Sequence, residues 1–165
     1  MISRILYATD LGLYGPYVMN QVALLAQGTG AKVDIIHVVE PLGIFAESIL
    51  NTYLPKEQIG QLKGEELNKV LDSIKNQVMD TLYAEYKNEL ENINLSEVLV
   101  EVGKPADVIL EHAQKRNADL IIVGSHGQHA YKAGLIGSVV TKILQLSSIP
   151  VYMIPMVKLE DLGRF

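Results

Sequence analysis

Short runs dense in Ile, Leu and Val alternate along this chain with longer stretches whose apolar positions recur every third or fourth residue. Arg4 to Thr9 is a β-rich run that ends at Asp10, and Leu11 to Pro16 is a Gly/Pro loop. Pro16 suits the first turn of a helix, since the amide it lacks has no intrahelical partner there. Val18, Val22, Leu25 and Ala26 continue that helix, with Gly28 and Gly30 as its stop. Val33 to Val39 reads as a second strand, closed by Glu40-Pro41. From Ile59 to Leu90 the positions Leu67, Leu71, Ile74, Val78, Leu82 and Tyr86 predict one long amphipathic helix. Val98 to Val102 is a third strand, and Gly103-Lys104-Pro105 opens a helix with Ile109, Leu110 and Ala113 on one face. Leu120 to Val123 is a fourth strand, Gly137 to Leu146 a helix, and Val151 to Ile154 a fifth strand between prolines.

Strands alternating with helices make βαβ units, whose right-handed crossovers put helices on both faces of a parallel sheet. The strands are continuous apolar runs rather than alternating ones, as expected when both faces are covered. Ligands of such α/β sheets bind beyond the carboxyl ends of the strands, where the strand order reverses. If the first and fourth strands are neighbours at that reversal, Asp10 and Gly124 face one crevice.

The chemistry concentrates after the fourth strand. Gly124-Ser125-His126-Gly127 is followed by nine residues and then Gly137-Ser138. Without a Cβ, glycine lets its backbone N–H approach a phosphate oxygen closely. Gly137-Ser138 opens a helix whose first N–H groups have no intrahelical partner and attract anions. The pattern therefore predicts a nucleotide-phosphate site, with His126 a candidate donor beside the phosphates.

Composition narrows the class. At 165 residues, 48% apolar and 20% charged, the chain fits one domain with a real core. A net charge of −5 and a pI near 5.3 argue against a nucleic-acid surface, which needs a basic stripe. There is no cysteine, hence no disulfide, zinc knuckle or thiol nucleophile. The first residues are too soon interrupted by Asp10 for a signal peptide, and no apolar run approaches a membrane span. The expectation is a cytoplasmic protein that binds neither membrane nor nucleic acid.

Other candidates carry less. Gly28-Thr29-Gly30 follows a helix and precedes a strand, the reverse of a dinucleotide fingerprint, and no Walker Gly-Lys-Ser/Thr occurs. His126 and His129 lack a carboxylate at ligand spacing, so a metal site of their own is not expected. His37 is read as a hydrogen-bonded core residue and His112 as a helix-surface one. Lys132, between the glycines, is equally a phosphate ligand and a solvated loop lysine. No base can be placed beside Ser125 or Ser138, and no catalytic residue is assigned. The apolar stretch from Gly43 to Pro55 reads either as a lid or interaction segment on the ligand side or as an extra turn packed on the core.

The runs Ile5-Leu6-Tyr7-Ala8-Thr9-Asp10, His37-Val38-Val39, Gly103-Lys104-Pro105-Ala106, Ala118 to Gly127 and Ser148-Ile149-Pro150-Val151 together resemble the universal stress protein family, in its ATP-binding subgroup. The resemblance implies an α/β fold of the adenine nucleotide alpha hydrolase type: one open five-stranded parallel sheet, order 3-2-1-4-5, helices on both faces. The domain would cover residues 1–157, with an insertion at about 42–63 and a tail at 158–165. Asp10 would accept from the ribose hydroxyls or help hold a metal, with Ala8 and Thr9 lining the same strand end. Val38 would offer its backbone to the adenine edge, and Val123 would pack on sugar or base. Gly124 and Gly127 would admit the ribose and α-phosphate, and Gly137, Ser138 and Val139 would bind the outer phosphates.

Ala8 and Gly12 replace a proline and a serine frequent in the family, Gln128 an arginine, and Val140 a hydroxyl of some binders; each bears on affinity or on ATP against AMP. The expected function is a nucleotide-sensing stress protein that binds ATP, ADP or AMP, with Mg²⁺ beside the phosphates and at most slow hydrolysis. A homodimer paired through the edge strand 151–154 is implied as well. The competing reading is an interaction protein with a vestigial pocket.

Overall fold

The structure, a computed structural model, describes residues 1–12, 14–40, 52, 57, 65–126 and 136–156. Five parallel strands, β1 (Arg4–Ala8), β2 (Lys32–Val39), β3 (Asn94–Val102), β4 (Leu120–Gly124) and β5 (Val151–Ile154), stand in the order β3-β2-β1-β4-β5. The helices are α1 (Gly15–Thr29), α2 (Glu65–Glu85), α3 (Lys87–Glu91), α4 (Pro105–Lys115) and α5 (Ser138–Leu146). This is the expected doubly wound sheet and strand order.

Alternate residues of each strand enter separate cores, because successive side chains leave opposite faces of a pleated sheet. Ile5, Tyr7, Val33, Ile35, Val98, Leu120 and Ile122 pack against α1 and against Val78, Leu82, Tyr86 and Leu90 of the α2–α3 side. Leu6, Ile36, Leu99, Ile121 and Val123 pack against Ala106, Ile109 and Ala113 of α4 and Val140 and Ile143 of α5. Covering both faces is what removes polar alternation from the central strands.

Several boundaries differ from the sequence expectation. Gly28 lies inside α1, and Gly30 ends it, in the left-handed conformation at φ 70° that only glycine adopts cheaply. The long helix breaks at Tyr86, where φ −123° and ψ 24° leave the helical region, although Tyr86 still donates to the Leu82 carbonyl and Leu90 to that of Tyr86. The helix start at Ile59, the Leu67 and Leu71 side chains, most of the 42–63 insertion and the 158–165 tail lie outside the described residues. β3 begins at Asn94, earlier than expected, and its register on β2 shifts between Val33 and Asp34.

The amino ends of the strands hold a charged cluster. Asp34, fully buried, receives Arg4 Nη1 at 2.8 Å on one carboxylate oxygen and lies 3.3 Å from Arg116 Nη1 on the other. Arg116 also pairs with Glu97 of β3. Asp119 Oδ2 accepts from the Ser3 and Arg4 amides and the Ser3 hydroxyl, which hold its carboxyl below the usual range.

Candidate functional site

At the opposite, carboxyl end, Ala8 pairs with Ile36 on one side and Val123 on the other. β1 is thus the strand from which the order runs outward both ways, and the crevice opens above it. The chain then turns sharply. Thr9 Oγ1 accepts from the Leu11 amide and Asp10 Oδ1 from the Gly12 amide, each at 3.0 Å. Gly15 donates to the Gly12 carbonyl at 2.8 Å. These bonds hold Leu11 at φ 59°, a strained conformation for a branched residue.

His37 Nδ1 donates to the Thr9 carbonyl at 2.9 Å, tying the end of β2 to the same turn. The histidine is hydrogen-bonded as expected, though half-buried rather than deep in the core. His112 differs from the expectation of a helix-surface residue: it is half-buried against β3, its Nε2 3.6 Å from Glu101 Oε1.

The end of β4 is joined to the start of α5. The Ser125 carbonyl accepts from the Gly137 amide at 2.9 Å, and Gly137 caps α5 with φ −60° and ψ 148°. Gly137 has no side chain to cap that helix start, and among the described residues its first N–H groups meet no protein acceptor. On the other side of β4, a Cβ on Gly124 would collide with Met156 Sδ. What the glycine admits here is a flexible thioether.

Together these ends enclose a cavity of about 560 Å³, within the range of small-molecule sites. Ala8, Thr9 and Asp10 line it from the end of β1 and the turn after it, Val38 from β2, and Val123, Gly124 and His126 from the end of β4 and the residues after it. Gly137, Ser138 and Val139 line it from the start of α5. Every residue expected in the site therefore faces one cavity, except Gly127, which with Gln128, His129 and Lys132 lies outside the described residues. Among the described residues no three His, Asp or Glu side chains converge as a metal cluster. Asp10, to which the expectation gave a metal role, lines the cavity together with Gly137 and Ser138.

Sequence reasoning missed several contributors. Met156, Glu40, Tyr7 and Gly15 also line the cavity. A second hollow of about 330 Å³ adjoins it, sharing Glu40, Pro105, Ser138 and Val139, and adds Lys104 and Lys142. Lys142 Nζ lies 2.6 Å from Asp107 Oδ1. Its position four residues after Ser138, on the same helical face, was the available signal.

Fold and crevice together define a doubly wound α/β domain with an anion-ready helix start at its switch point. The universal stress protein family model matches residues 1–155, and the chain belongs to that family. Universal stress protein MJ0577 of Methanocaldococcus jannaschii is 29% identical over 162 residues, covering 93% of this chain and 95% of that one. A solved structure of MJ0577 superposes with a TM-score of 0.72 at 24% identity, over 96% of this chain and 99% of that one. A universal stress protein in complex with cAMP gives 0.55 at 17% identity, over 94% and 98% of the two chains. One from Archaeoglobus fulgidus in complex with dAMP gives 0.55 at 18%, over 93% and 98%. Among the described residues no helix is long and apolar enough to cross a membrane.

Proposed function

We propose that the crevice binds an adenine nucleotide, ATP foremost, and that the chain works as a nucleotide-sensing module with at most slow hydrolysis. The observation that carries this reading is the uncapped start of α5, Gly137 to Val139, opening onto an apolar cavity at the strand-order reversal. The base would lie against Val38 and Val123, the ribose near Asp10, and the phosphates at Ser138 and Val139. The related complexes with cAMP and dAMP support the choice of an adenine nucleotide. A cytoplasmic setting, where ATP is abundant, suits it.

The outer phosphates carry several negative charges. Lys104 and Lys142 border the adjoining hollow and offset part of that charge, and a hard cation such as Mg²⁺ would offset the rest through phosphate oxygens and Asp10. The expected partner is a second copy of the chain, paired along β5. That strand bonds only to β4 among the described residues, and Tyr152 on it is exposed.

Mass spectrometry of nucleotide released from protein purified without added ligand tests the reading directly. Titration calorimetry with ATP, ADP and AMP, each with Mg²⁺ and with chelator, extends it. Micromolar to millimolar binding of an adenine nucleotide supports the proposal. No released nucleotide and no heat at millimolar ATP would leave the interaction-protein reading in its place.

A further inference from the structure

The side chain of Ser125 contributes no surface to the crevice, yet it holds together the groups that do. Ser125 is 4% exposed, and each of its polar groups is engaged. Its amide donates to the Ile154 carbonyl at 2.9 Å, and its carbonyl accepts from the Gly137 amide at 2.9 Å. Its Oγ accepts from the Met156 amide at 2.9 Å and lies 2.5 Å from His126 Nδ1, so a base does stand beside this serine, contrary to the expectation from sequence. One proton remains on that hydroxyl, and among the described residues His126 Nδ1 is the acceptor within its reach. Were Nδ1 itself protonated, it would point its hydrogen at Oγ and strand the hydroxyl proton in a buried place, an arrangement proteins avoid.

We propose that Ser125 is a positioning residue: it accepts from Met156, donates to Nδ1, and so keeps the proton of His126 on Nε2 as a hydrogen-bond donor to the phosphate chain. His126 lines the cavity with Gly137 and Ser138, and the Ser125–Gly137 bond fixes the imidazole and the helix start on one rigid junction. A neutral imidazole locked in this tautomer adds a donor beside the uncapped N–H groups of α5. The proposal rests on the nucleotide reading for its ligand, and on the described hydrogen bonds alone for the tautomer.

The two parts are tested separately. In long-range ¹H–¹⁵N correlation spectra of the ligand-free full chain, His126 is expected as the Nε2–H tautomer. His37, which donates from Nδ1 to a carbonyl, is expected as the opposite tautomer and serves as an internal reference. Ser125→Ala should erase the preference at His126 and leave His37 unchanged. A protonated Nδ1 at His126 in the native chain overturns the proposal.

By calorimetry, Ser125→Ala should weaken ATP about tenfold, as should His126→Ala. In the double variant the losses should not add. His126→Gln places an amide donor where Nε2 stood and needs no tautomer, so it should recover part of the affinity that His126→Ala loses, and adding Ser125→Ala should weaken it less than it weakens the native chain. Equal weakening by Ser125→Ala in the native and His126→Ala backgrounds would mean that the serine only braces the backbone, and would overturn the positioning role. Absence of any nucleotide binding by the native chain refutes the phosphate as the recipient, while the ligand-free spectra still decide the tautomer.

Discussion

The Tyr86 hydroxyl lies directly against the Cα of Gly15, in the space that a Cβ would occupy. Tyr86 comes from the break between α2 and α3, is 2% exposed, and reaches across the core to the first residue of α1. Because Gly15 also lines the crevice, this contact joins the helical layer to the turn that carries Asp10.

Gly15→Ala should destabilise the protein by about 1–3 kcal/mol, the usual cost of overpacking a tight site. The higher helix propensity of alanine offsets only part of that. Tyr86→Phe removes the colliding oxygen, so the double variant should recover most of the loss. Urea midpoints of the four proteins check this, and additive losses would refute the contact.

Burial raises the hydroxyl pKa of both Tyr7 and Tyr86, the latter from 10.0 to about 12, with Glu85 adding to the effect. The folded state therefore binds more protons than the unfolded state above pH 10, and stability must fall as pH rises from there. Each tyrosine contributes a slope of about 1.4 kcal/mol per pH unit until its own folded pKa is passed. Urea midpoints between pH 9 and pH 11.5 should decline on this schedule, and Tyr86→Phe should make the decline shallower.

Ser138→Asp separates folding from binding. A carboxylate in the first turn of α5 interacts favourably with the helix dipole, by about 0.3–1 kcal/mol. The same charge sits where the phosphates are proposed to bind. Thermal unfolding should be unchanged or slightly raised while calorimetry shows ATP affinity reduced at least tenfold. Undiminished affinity would place the phosphates elsewhere.

The proposed dimer is tested at Tyr152, which is 46% exposed on edge strand β5. Tyr152→Lys puts charges opposite each other across an antiparallel two-fold contact. Light scattering at micromolar concentration should give a dimer for the native chain and a monomer for the variant. A native monomer refutes the pairing.

The central strands were legible because Leu120 to Val123 and, apart from Asp34 and His37, Val33 to Val39 are apolar on both faces. The break at Tyr86 was not, since Leu82, Tyr86 and Leu90 keep a four-residue spacing straight through it. The early start of β3 was hidden by the polar Asn94, Ser96 and Glu97 around Leu95 at the sheet edge. In the site, the glycine pattern and Asp10 announced themselves by type and order. Ser125 did not, because its meaning lies in an amide 31 residues further along the chain. Nor did Met156, whose side chain fills the space beside Gly124 from beyond the last strand.

Asp34 draws its two arginines from β1 and from the end of α4, and Arg116 reaches on to β3. Four segments distant in sequence are thus aligned by charge at the amino ends of the strands, away from the crevice. Strand alignment is anchored at the end opposite the crevice. Loops at the other end are free to lengthen, shorten or exchange their side chains without disturbing how the sheet lines up. This division lets a single scaffold diversify what it holds while continuing to fold by the same rules.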